Sequence, residues 1–236
     1  MGILLAGDIS EQFMIKGVLK MPFLFLGQEV WITDSILSMI LISIILIIFA
    51  IICNKIIKKA KEIPTGIQNV VELVVEMIDN MVKGTLGDNA YRFRNYIGTI
   101  FLFILVANLS GLLGLRAPTA DYGVTLPLGI FTFIIIQFQG FKNSGINNFL
   151  DLFKPTPILF PINIIGEVTT PITLSLRLFA NLLSGVIIMG LWYGMIPVVF
   201  RFGIPAALHA YCDLFSGCIQ AYVFSMLTMV YVSQKL

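Results

Sequence analysis

Five stretches of this chain are apolar over about the width of a lipid bilayer, near residues 35–56, 97–115, 124–141, 158–196 and 204–233. A helix needs about 20 such residues to cross about 30 Å of hydrocarbon. Of the 236 residues, 58% are hydrophobic and 12% are charged, against about 25% charged in a soluble domain. The pattern reads as an all-α polytopic membrane protein with about five transmembrane crossings, in which residues 1–32 form an N-terminal outer segment and 33–236 a single membrane domain. A formal net charge of +2 is too small to point to nucleic acid, so the placement of the charges matters more than their sum. Residues 1–30 contain Lys16 and Lys20 but no basic start followed by an apolar core and an Ala-x-Ala-like site. No cleaved signal peptide is therefore expected, and the first span does the targeting.

Asn54, Lys55, Lys58, Lys59 and Lys61 end the first crossing, and Pro64 opens a segment of another kind. In it Ile67, Val70, Val71, Val74, Val75, Ile78 and Val82 recur at helical spacing opposite Glu72, Glu76, Asp79 and Lys83. That predicts an amphipathic helix from about 65 to 82, lying on the membrane surface or packed against a soluble partner, with the surface favoured because spans flank it. Gly145, Asp151, Lys154 and two prolines make 143–157 a loop with a short interfacial helix at most. The last two apolar segments, separated by Pro197, Arg201 and Pro205, are too long for upright spans. Roughly 30 helical residues reach about 45 Å, so fitting them into about 30 Å demands a tilt near 50°. Two steeply tilted helices forming an antiparallel hairpin are expected.

Five crossings put the termini on opposite sides. With the C-terminus inside, the cytoplasmic segments hold Lys55, Lys58, Lys59, Lys61, Lys83, Arg92, Arg94, Lys142, Lys154 and Lys235, and the outer segments only Lys16, Lys20, Arg116 and Arg201. Loops rich in lysine and arginine stay cytoplasmic, so the N-terminus is expected outside. Cys53, Cys212 and Cys218 lack metal-ligand or disulfide-framework spacing and read as packing residues.

Arg177, in PITLSLRLFANLLSG, lies too deep in its segment to snorkel easily to an interface. A guanidinium stays charged at physiological pH, so it can hold a fixed positive charge but cannot pass a proton onward. The alternatives are a functional charge, the default within a membrane, and a structural tie paired inside the bundle. Steps of three and four from Arg177 collect Asn163, Thr170, Thr173, Asn181 and Ser184 on one stripe, with Glu167 about 80° round the helix. The last segment sets His209, Asp213, Ser216 and Gln220 on a single face, and His209 precedes Asp213 by one turn, close enough for a proton relay. Singly, such polar residues more often bond neighbouring helices; with Arg177, Glu167 and Asp213 they suggest an aqueous path. No nucleophile constellation, phosphate loop or metal cluster is present in the pattern, so neither an enzyme active site nor a cofactor is implied.

SLRLFANLLSG, with Arg177 followed by Asn181, resembles the signature helix of ATP synthase a subunits. CIQAYVFSMLTMVYVSQKL, containing Gln220, resembles that family's C-terminal helix, and VANLSGLLGLRAPTADYGVTLPLG its second and third membrane helices with their loop. The resemblance runs from about Thr33 onward. It implies a stator with two aqueous half-channels, held against a rotating c-subunit ring and joined to the b-subunit peripheral stalk; the overall size and the lack of a presequence make a bacterial plasma membrane the expected location rather than an organelle. It also implies that Arg177 meets the carboxylate of each passing c subunit, with Asn181 one turn on and Gln220 close by. Many members carry a glutamate nine residues after the arginine, opposite a histidine seven before the glutamine; here Val186 and Asp213 stand at those places. A second family carboxylate, upstream of the arginine, is replaced by Asn163, and Glu167 one turn later is its expected substitute. Two other classes remain open on the residues alone: a self-contained secondary transporter, which usually shows repeated halves not visible here, and a membrane anchor whose polar stripes are helix glue.

Overall fold

The computed structural model describes residues 17–25, 28–58, 66–87, 90–113, 115, 117–145, 160–195 and 208–235. Backbone N–H and C=O groups in lipid must be satisfied within the protein, and a helix does so from its own segment. The apolar runs accordingly form helices: α1 (Asp34–Lys58), then the amphipathic α2 (Ile67–Leu86), α3 (Ala90–Leu109), α4 (Tyr122–Ser144), α5 (Phe160–Met195) and α6 (Ser216–Gln234), the last preceded by a π-helical turn, Ala210–Phe215. Among the described residues five helical stretches are long and apolar enough to cross a membrane: Asp34–Lys58, Tyr91–Leu113, Tyr122–Asn143, Phe160–Trp192 and Ala210–Gln234. This is the polytopic helical class that the apolar runs predict. Most of the 143–157 loop, the turn with Pro197, Arg201 and Pro205, and Lys16, Lys59, Lys61, Arg116 and Lys154 lie outside the described residues.

One element adds to the all-helical reading. Strands β1 (Gly17–Phe25) and β2 (Gln28–Thr33) pair antiparallel immediately before α1. β2 is rich in β-branched and aromatic residues (Val30, Trp31, Ile32, Thr33), which favour a pleated chain, while β1 carries Val18, Phe23 and Phe25. Their register slips between Lys20 and Leu24, a stretch containing Pro22, whose missing N–H cannot join a ladder.

Local signals set the helix ends. The Asp121 side chain accepts the Gly123 N–H at 2.9 Å and caps α4, while Gly145, at φ 56°, closes its far end by donating its N–H to the Phe141 carbonyl at 2.9 Å. Thirty-six residues make α5 about 54 Å long, against about 30 Å of hydrocarbon, so this helix lies oblique to a membrane or projects from it. α4 and α5 pair extensively. A Cβ on Gly129 of α4 would come within 2.7 Å of the Pro171 carbonyl oxygen of α5, so only glycine permits this approach.

α3 and α6 form the centre of the bundle, and α2 packs on both. The core joins Ile78, Val82 and Leu86 of α2 to Ile97, Ile100 and Ile104 of α3, Leu174 and Leu178 of α5, and Phe224, Met229 and Val232 of α6. Of the α2 stripe, Val71, Val74, Ile78 and Val82 turn into the bundle, while Ile67, Val70 and Val75 stay exposed with Leu73, Met77, Glu72 and Glu76. Asp79 is tied to Arg94 of α3 at 3.0 Å. α1 stands at the margin, burying only Ser35, Ser38 and Ile42.

Candidate functional site

Arg177 lies near the middle of α5. Its neighbours Leu174 and Leu178 point into the core, both fully or nearly fully buried, which turns the guanidinium to the outer flank of the bundle. There it is exposed, alongside exposed Thr173, Ala180 and Ser184. These residues are small, so the charge stands clear of its surroundings. Among the described residues it has no ion pair and no hydrogen bond; those present join Arg94 to Asp79, His209 to Asp213 and Lys235 to Glu167. Of the two sequence readings of Arg177, the internal structural tie does not fit.

The other polar residues of α5 divide by angle. Asn181, one turn past Arg177, is half-buried at the seam with α6, and its Oδ1 accepts the Ser216 hydroxyl at 2.9 Å. The Ser184 hydroxyl donates to the Asn181 backbone carbonyl at 2.8 Å, and that of Thr170 to the Gly166 carbonyl at 3.2 Å. Asn163 is half-buried near the start of the helix. The expected single stripe therefore splits: Thr173, Arg177 and Ser184 look outward, while Asn181 joins the helix seam.

At one end of the bundle, His209 Nδ1 and Asp213 Oδ2 are 2.6 Å apart, with the side chains 37% and 17% exposed. Asp213 belongs to the π-helical turn, a local widening that re-aims side chains and recurs at functional sites. Its carboxyl lies against Gly111, whose Cβ, if present, would be 3.8 Å from the Asp213 carboxyl carbon. Behind it stands a fully buried tie absent from the sequence reading. Asn108 Nδ2 donates to the Gly217 carbonyl at 2.9 Å, and the Thr119 hydroxyl donates to Asn108 Oδ1 at 2.9 Å. Asn108 sits in the VANLSG segment, where an amide inside an apolar helix was the available signal. Gly185 of α5 also approaches Cys212, at 3.4 Å from an ideal Cβ, so α5, the π turn and α3 converge here.

At the other end, Glu167 faces the bundle. Its Oε1 lies 2.6 Å from Lys235 Nζ, and its Oε2 accepts from Gln137 Nε2. Between the two ends, Gln220 of α6 is 6% exposed and its Nε2 has no hydrogen-bond partner among the described residues. The structure thus brings together His209 with Asp213, Asn181 with Ser216, and Glu167 with Lys235. It makes no bond between Gln220 and Arg177. Val186, on the position where a carboxylate is common in the resembled family, is exposed.

Fold and site define a polytopic helical membrane protein with an exposed arginine, unpaired among the described residues, at the middle of a helix of membrane-spanning length. The sequence profile of the ATP synthase A chain family matches residues 36–233, so the chain belongs to that family. It is 38% identical over 192 residues to the sodium ion specific ATP synthase subunit a of Propionigenium modestum, covering 74% of this chain and 65% of that one. It is 36% identical over 194 residues to ATP synthase subunit a of a Sulfurihydrogenibium strain, covering 80% of this chain and 91% of the relative. With ATP synthase subunit a 2 of Chlorobaculum tepidum it shares 36% identity over 223 residues, 87% of this chain and 63% of the relative. The chain therefore spans just under two thirds of the first and third of these relatives.

Proposed function

We propose that this chain is the ion-translocating stator subunit of a rotary ATP synthase. On this reading residues 33–236 form one multi-pass membrane domain with residues 1–32 outside, the N-terminus outside and the C-terminus cytoplasmic. The complex lies in a bacterial plasma membrane, with the chain set against a c-subunit ring and held by the b-subunit peripheral stalk. One half-path runs past His209, Asp213 and Gln220, the other past Glu167, and Arg177 separates them.

The observation that carries the reading is the exposed Arg177 guanidinium, unpartnered among the described residues, on the flank of a helix of membrane-spanning length. Desolvated charge is costly in lipid, so such a group needs a partner of opposite charge. A carboxylate moving past it supplies one: the fixed cation favours the ionised form, and because it cannot release its own proton it blocks direct flow between the half-paths. Ions then cross only by riding the ring. His209 and Asp213, in bonding distance, suit hand-over of a proton or coordination of a small cation in the outer half-path. The sodium-specific name of the Propionigenium modestum relative makes sodium dependence of ATP hydrolysis the assay that assigns the coupling ion.

Arg177→Ala should abolish ion-driven ATP synthesis in membrane vesicles containing the assembled complex, while passive ion leakage through the membrane sector persists. Normal synthesis by that variant would refute the role.

A further inference from the structure

The last described turn of the chain places a second cation inside the proposed path. Lys235 follows α6, and its backbone ties the turn down at both ends: its N–H donates to the Val232 carbonyl at 3.0 Å, and its carbonyl accepts from Asn143 Nδ2 of α4 at 3.5 Å. Neither tie uses the side chain. The ammonium instead reaches α5 and rests 2.6 Å from Glu167 Oε1, the two side chains being 21% and 27% exposed.

A carboxylate offered to passing cations works only while it is free to receive one, and here an ammonium already fills that place. Lysine's charge is compact and its four-carbon stem flexible, so it can yield the position and return to it. With the ammonium seated, an incoming cation meets a neutralised carboxylate and a like charge. We propose that Lys235 is a tethered counter-ion that occupies the cation position at Glu167 and limits ion passage at the inner end of the path. The proposal rests on reading Glu167 as part of that path. It makes Lys235 a positioning residue acting through Glu167, beyond any docking role of its backbone.

The test uses vesicles carrying the assembled complex, with the catalytic sector stripped and passive ion conductance normalised to complex content. Lys235→Met, which keeps the stem and removes the charge, should raise conductance roughly two- to five-fold, the scale of a partly exposed ion pair. Lys235→Arg should stay near the parent. In a Glu167→Gln background, Lys235→Met should add nothing. A Lys235→Cys variant treated after assembly with an aminoethyl thiosulfonate regains the ammonium on a folded complex, and should fall back towards parental conductance relative to the parent treated identically. Unchanged conductance in Lys235→Met and in untreated Lys235→Cys, or an equal rise in the Glu167→Gln background, would overturn the proposal. If Arg177→Ala abolishes synthesis while the Lys235 variants are silent, only this inference falls; if Arg177→Ala synthesises normally, the functional reading falls with it.

Discussion

At the two ends of the bundle several polar groups satisfy one another within the chain, whereas two near its middle do not. At the His209 end Asn108 binds both Thr119 and Gly217, His209 binds Asp213, and Ser216 binds Asn181; at the opposite end Glu167 is held by Lys235 and Gln137. Near the middle, among the described residues, Arg177 is bare on the flank and the buried Gln220 amide nitrogen finds no partner; Gln139 Nε2 and Trp192 Nε1, nearer the ends, are orphaned too. Polar groups that hold helices together satisfy one another within the chain, because an orphaned buried group costs about 1–3 kcal/mol.

The contrast can be broken by substitution. Asn108→Leu should destabilise most, because it orphans the buried Thr119 hydroxyl and removes the Gly217 contact; a loss of roughly 2–4 kcal/mol is expected, read by thermal unfolding of the purified complex in detergent. A variant as stable as the parent would show that the Asn108 tie is incidental. Gln220→Leu should go the other way, leaving stability unchanged or raising it by about 1 kcal/mol while ion-driven synthesis falls; retained synthesis would make Gln220 a packing residue. The smallest effect on stability belongs to Arg177→Leu, which removes no internal bond and should unfold no earlier than the parent. Earlier unfolding would reveal a structural role for the guanidinium and weaken the contrast.

Much of this was legible in the residues because hydrophobic runs and helical spacing act locally. The run near 124–141 falls inside α4, that near 97–115 begins inside α3 and overruns its end at Leu109, and the long run near 158–196 became α5. The four-residue step from His209 to Asp213 predicted their bond. Arg177 stood out because a charge at such depth has few explanations. The strand pair before α1 was not legible, since short apolar runs fit helix and strand alike. Nor was the Asn108 tie, which joins residues 109 positions apart in sequence.

The sequence by itself determined the spans, the helical class and the depth of Arg177, all of which depend on how each segment meets lipid. Tertiary structure alone decided which way the polar groups of α5 face. The roughly 80° that separates Glu167 from Arg177 round the helix becomes the difference between inside and outside only once Gly129 lets α4 close on Pro171 and Leu174 and Leu178 enter the core. That packing gives Glu167 to Lys235 and leaves Arg177 free, because a helix has no inward side until neighbours supply one.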